Sequence, residues 1–290
     1  MQVKHCMYKC YFVIIGWLAL TGLAHSNTRI VSLSPNVTHI VHQLIKMSPH
    51  NQTTPDLVGT ICYSGQPDYY QHYTCVGRFN SISLKTILRL HPDLVLTWDK
   101  VISKKMIHQL KRLGIPVKIF KGDNIAQLGQ TFAQIGQAIH LPSAGKKMQQ
   151  AYQQAFKSIT TSANKSQTKQ QPNVFIQLTQ KPMFTVGQTS LLNQMVQVCG
   201  GKNIFASTKM PSFMVSTATI LKNNPDMIIQ LTGNGNLQAT RHSRWQQFSD
   251  QLKAVKQKQV YQGGGVIFSQ PTPNLIQGIR QICHVMAKTA

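Results

Sequence analysis

One pattern of eleven residues is written twice in this chain. Residues 86–96 read TILRLHPDLVL and residues 219–229 read TILKNNPDMII, an offset of 133 positions. Each copy is a short apolar helix end, a Pro-Asp break and then an apolar run. Proline has no N–H to donate and disfavours helix at the residue before it, so each helix stops there. The branched, leucine-rich run that follows suits a strand buried in a parallel sheet. A second echo trails each copy: Gln109-Leu110-Lys111 leads into Val117–Phe120, and Gln251-Leu252-Lys253 into Val260-Tyr261. Both halves therefore read strand–helix–strand with a right-handed crossover. The repeat predicts an α/β chain of two similar Rossmann-like lobes, with a ligand cleft between them.

The first 26 residues read as an export signal. Lys4 and Lys9 precede an apolar stretch from Tyr11 to Leu23, and Ala24-His25-Ser26 is a cleavage site. The stretch is short of the ~20 residues that a spanning helix needs, and no cysteine follows it for a lipid anchor. The expectation is a periplasmic protein beginning near Ser26 or Asn27, in a compartment where disulfides persist. Four cysteines remain: Cys62, Cys75, Cys199 and Cys283. They allow three connectivities. Pairing within lobes, Cys62 with Cys75 and Cys199 with Cys283, is favoured, and without a CxxC spacing a metal site is not.

The lobes are placed at 27–140 and 172–290, joined by a linking helix and boundary loop at 141–171. Strands are expected at Arg29–Leu33, Leu57–Thr60 and Val174–Leu178. Helices are expected at Val37–Lys46, Ser83–Leu90, Asn124–His140, Ser143–Thr161 and from Asn274, after Thr272 and Pro273. Apolar residues spaced three and four apart carry the longer helices, as in Ile125, Leu128, Phe132, Ile135 and Ile139. The polar segment 162–172 marks the boundary.

Charge is the other oddity. All seven acids are aspartates, and removing Lys4 and Lys9 takes the formal charge from +23 to +21. Such a field gathers anions, nucleic acid or acidic membrane. The basic residues are scattered and no nucleic-acid-binding signature is present, so nucleic acid is not expected as a partner.

A lobe, a long helix and a similar lobe resemble the periplasmic cobalamin-binding proteins of ABC importers, within the wider class of siderophore, haem and cobalamin binding proteins. RIVSLSPNVT (29–38), the block VGRFNSISLKTILRLHPDLVLTW (76–98), QLKRLGIPV (109–117) and PMFTVGQTSLLNQMVQVCGGKNIF (182–205) carry the resemblance, which covers nearly all of 29–290. The first three blocks are shared across the wider class. The fourth, with a later Cys283, is similar to the cobalamin branch, where the matching cysteines form a disulfide. The resemblance implies a class III periplasmic binding protein, probed by a small-molecule ligand and an importer permease, and expected as a monomer. It implies a ligand gripped by Tyr63, Phe79, Trp98, Phe184 and Phe268. Phe79 stands where that branch usually has tryptophan. Flat rings cover a corrin at low entropic cost while polar neighbours bond its amide fringe.

The departures are specific. Val266, Ile267 and Gln270 replace an acid, a tryptophan and an arginine of the family, and Ser212 followed by Phe213 replaces a tryptophan. The two glutamates with which the family docks its permease are Lys85 and Ala218 here. A haem or ferric siderophore is the alternative ligand, with Tyr69-Tyr70-Gln71-His72-Tyr73 as a candidate iron-binding loop. A non-transport exported binding module is the other class of function. His39 and His42 share a helix face, but a solvated or capping role outweighs a metal site. No nucleophile elbow, P-loop, HExxH or paired carboxylates are present, so no catalytic residues, catalytic cofactor or metal are expected.

Overall fold

The computed structural model describes residues 27–49, 53–165 and 171–288. The expected export signal (1–26) and part of the expected boundary segment (166–170) lie outside the described residues.

Strand β1 (Arg29–Ser32) feeds helix α1 (Pro35–Met47), whose proline sits at the start, where a missing N–H is harmless. Strands β2 (Asp56–Thr60) and β3 (Thr74–Cys75) flank a 3-10 turn at Asp68–His72. A small hairpin, β4 (Gly77–Arg78) and β5 (Ser81–Ile82), leads to α2 (Leu84–Arg89), β6 (Leu94–Trp98), α3 (Lys104–Arg112) and β7 (Val117–Phe120). Ser83 and Ser103 cap α2 and α3, accepting the N–H of Thr86 and Met106 at 3.1 and 3.2 Å. These strands form a parallel sheet in the order β3-β2-β1-β6-β7, with the β4–β5 hairpin apart from it.

Helices α4 (Leu128–Ala138) and α5 (Pro142–Lys165) then cross to the second half. There follow β8 (Asn173–Gln177), β9 (Phe184–Val186), α6 (Leu191–Val198), β10 (Lys202–Asn203) and β11 (Ser212–Met214). After them come α7 (Thr217–Asn223), β12 (Met227–Gln230), β13 (Gln238–Ala239), α8 (Lys253–Lys256) and β14 (Val260–Gln262). The chain closes with α9 (Val266–Ser269) and α10 (Leu275–Met286). The second sheet runs β11-β9-β8-β12-β14-β13, and β10 pairs parallel to the start of β8.

The repeat is visible in the sheets. β8, β12 and β14 neighbour one another in parallel as β1, β6 and β7 do. The Pro-Asp aspartate does the same job in both copies. Asp93 accepts the N–H of Arg29 at the head of β1 (2.7 Å), and Asp226 that of Asn173 at the head of β8 (2.8 Å). Each break thus returns a carboxylate to the strand beside it, fixing the register of the central pair.

One apolar core runs from the first sheet, through α1, α4 and α5, to the second sheet with α6 and α10. Separate clusters lie under α2 and α3 on the outer face of the first sheet, and under α7, α8 and Trp245 on the outer face of the second. The sulfur bridges are Cys62–Cys75 and Cys199–Cys283. The second ties the end of α6 to α10.

Two element boundaries differ from the sequence reading by more than two residues. Helix α4 begins at Leu128 rather than Asn124, because the backbone of Ile125 is committed elsewhere. Its N–H donates to Gln194 Oε1 (3.0 Å) and its carbonyl accepts from Tyr152 Oη (2.8 Å). Asn124 caps only a turn, through Ala126 N–H at 2.9 Å. Helix α5 runs on to Lys165, past the polar residues read as the start of the boundary loop.

Candidate functional site

All strands of the first sheet point the same way, so the residues that follow them gather along one edge. Tyr63 follows β2, Phe79 lies in the β4–β5 hairpin beyond β3, and Trp98 is the last residue of β6. Phe79 is 51% exposed, while Tyr63 and Trp98 are half-buried. Tyr63 stands edge-on to Tyr70 at 5.5 Å between ring centroids. Trp98 rests on Gly122: a Cβ there would lie 2.4 Å from its Cζ2. Only a glycine lets the ring lie that close to the chain.

That chain segment is where the two halves meet. Gln194, on α6, donates to the carbonyl of Asp123 (2.6 Å) and accepts from Ile125. Trp98 is therefore placed one residue from a contact between the halves. Asp99 beside it pairs with Lys121 at 4.0 Å, so the edge carries little net charge there.

Across the junction, Phe184 opens β9, next to the carboxyl end of β8, where Leu178 N–H donates to its carbonyl at 2.8 Å. It is half-buried and opposite Met214, which is 65% exposed. Met214 was missed by the sequence reading; the signal was the apolar Phe213-Met214-Val215 run on an edge strand. Asn36 was missed as well. It is buried in the first turn of α1, its Oδ1 accepts from Ser34 Oγ, and its amide N–H has no partner among the described residues.

Phe268, expected at the ligand, is 2% exposed and packs in the main core, on the side of α9 turned to α10; Val266 takes the exposed side. The first two glycines of the Gly263-Gly264-Gly265 run before it are packed against the loop at 233–237. A Cβ on Gly264 would lie 2.0 Å from the carbonyl of Gly233, so two loop backbones are pressed together there.

The tyrosine–histidine loop satisfies itself. Tyr69 Oη lies 2.8 Å from His39 Nδ1 and Tyr73 Oη 2.7 Å from His42 Nδ1, while Tyr70 Oη donates to the carbonyl of Pro35 at 3.0 Å. His42 stacks on Tyr69 at 3.9 Å. Burial pushes the phenols of Tyr69, Tyr70 and Tyr73 up, so they hold their protons. Burial also lowers His39, and it lowers His42 with help from Lys46, His39 and His72. A neutral His39 fits its bonds: Nδ1–H donates to Tyr69, and Nε2 accepts from the amides of Gln43 (2.9 Å) and Asn274 (3.2 Å). Asn274 precedes α10, so His39 also bridges the halves. Among the described residues no group of three His, Cys, Asp or Glu is placed to hold a metal.

Comparison with known proteins places this geometry. The vitamin B12-binding protein of Salmonella typhi is 28% identical over 284 residues, spanning 97% of this chain and 99% of the relative. The crystal structure of the periplasmic vitamin B12 binding protein BtuF of Vibrio cholerae matches with a TM-score of 0.75 at 23% identity, over 90% of this chain and 97% of that one. The periplasmic heme-binding protein BhuT in complex with two hemes matches with a TM-score of 0.76 at 17% identity, over 91% and 99%. Both solved structures share the two-lobed α/β fold. The family described as periplasmic binding protein matches residues 30–265, which takes in both sheets and both edges, and the chain belongs to that family.

Proposed function

We propose that this protein captures cobalamin between its lobes and delivers it to the permease of an ABC importer. In this reading it works in the periplasm as a monomer, after cleavage near Ser26 or Asn27, and catalyses nothing. The lobes are 27–140 and 172–290, with 141–171 between them. Tyr63, Phe79, Trp98 and Phe184 form the aromatic grip, and Met214 adds a soft, adaptable surface beside Phe184. The observation that carries the reading is the reach of the similarity: vitamin B12-binding relatives match through both carboxyl edges, not one lobe alone. The continuous core through α5 limits the reorganisation needed on binding, which favours tight capture.

A haem or ferric-siderophore ligand is the second reading, supported by the likeness to BhuT. The engaged phenols of Tyr69 and Tyr73 count against those residues as iron ligands. Titration calorimetry of 27–290 with cyanocobalamin, and haemin as comparator, tests both. Submicromolar cobalamin binding is expected, weakened about tenfold or more in a Trp98→Ala, Phe79→Ala double variant. Saturable haemin binding without cobalamin binding would instead support the second reading.

A further inference from the structure

Helix α3 carries a basic face that makes no ion pair among the described residues. At about 100° per residue, Lys104, Lys105, His108, Lys111 and Arg112 fall within an arc of roughly 120°, opposite the buried Leu110. All five are exposed. Lys104, Lys105, Lys111 and Arg112 crowd one side of a nine-residue helix, and Asp93 and Asp99, which precede it in the chain, are engaged elsewhere: Asp93 at the head of β1, Asp99 with Lys121. Among the described residues the ion pairs are Arg29–Asp56, Lys121–Asp99 and Lys253–Asp226, and none lies on α2 or α3. Helix α2, over the same sheet face, adds exposed Lys85 and Arg89 four residues apart. Leu113, which ends α3, is 52% exposed, and Ile119, on the edge strand β7, is 42% exposed.

We infer that the α2–α3 face is a docking surface for anionic phospholipid headgroups. Two observations favour a bilayer over an acidic protein. The cations are mostly lysines spread along helices, suited to a diffuse array of phosphates rather than to a set of fixed carboxylates. Exposed leucine and isoleucine at the rim suit the shallow apolar layer beneath headgroups. Polybasic surfaces of this size bind anionic leaflets with a strength that salt weakens. Such docking would hold the protein in the thin layer of solution above a membrane.

The test is co-sedimentation of 27–290 with phosphatidylglycerol-containing vesicles, against pure phosphatidylcholine, at low and high salt. Binding that needs phosphatidylglycerol and fades with salt is expected. A Lys104→Gln, Lys105→Gln, Lys111→Gln, Arg112→Gln variant should lose about tenfold or more in partitioning. A charge-matched control, Lys146→Gln, Lys147→Gln, Lys157→Gln, Lys202→Gln, should lose less than about threefold. The α3 variant should melt no lower than the parent, since repulsion is relieved, and should titrate with cyanocobalamin as the parent does. Equal losses in the two variants would overturn the inference in favour of bulk charge. Absence of phosphatidylglycerol-dependent binding would overturn it outright, and capture by polyglutamate but not by vesicles would turn it toward an acidic protein.

Discussion

His39 is the residue whose chemistry reaches farthest. It bonds Tyr69 and Gln43 in its own half and Asn274 in the other, and it does so as a neutral ring. Its folded pKa, like that of His42, is depressed below the ordinary 6.5. The unfolded chain therefore takes up protons that the folded one resists, so stability is fully present above about pH 6.5 and is lost as pH falls. The expected result is an unfolding midpoint that drops between about pH 7 and pH 5, with a flatter profile in a His39→Gln, His42→Gln variant. A parent profile that stays level over that range would count against the neutral bridge. At this scale sequence reading reached less far: Trp98 and Tyr63 lie along one edge of the first sheet, while Phe268 packs in the core. Its neighbours in sequence, a glycine run and an apolar triplet, fit either a loop or a packed turn; the backbone contact of Gly264 with Gly233, distant in sequence, decides between them.

The elements were legible where the signal was local. The Pro-Asp breaks and the apolar runs after them placed β6 and β12, because a proline stop and a buried strand are properties of a few neighbouring residues. The start of α4 was not legible, because Gln194 and Tyr152 that hold Ile125 arrive from far along the chain. The hairpin of β9 with β11 was likewise unread, since its antiparallel pairing rests on partners 26 to 30 positions apart. The clasp of each repeat explains why aspartate follows proline in both. Replacing Asp93 or Asp226 with alanine removes a charge-assisted acceptor from a strand head and should cost about 1 kcal/mol in each case. Chemical denaturation of the two single variants measures it, and the Asp226 loss should be the larger, because Asp226 also holds Lys253.

For the whole molecule, the absence of glutamate bears on the proposed docking to a permease. Lys85 and Ala218 are exposed at the starts of α2 and α7, equivalent helices of the two halves. Introducing Lys85→Glu and Ala218→Glu together should leave cyanocobalamin affinity unchanged within about twofold, as expected for exposed side chains outside the aromatic grip; calorimetry that found a large loss would place those helices at the ligand instead. The two halves also differ in one practical way. Beyond residues 1–26, which hold Trp17, one indole lies in each half. Trp98 is half open at the junction, whereas Trp245 is fully enclosed, with its N–H on Gln177 Oε1 at 2.8 Å and Arg244 over its ring. Their fluorescence should differ in colour, redder for the wet ring and bluer for the dry one. The protein thus carries two unlabelled optical probes, the first placed at the junction of the halves and the second reporting the integrity of the lobe behind it.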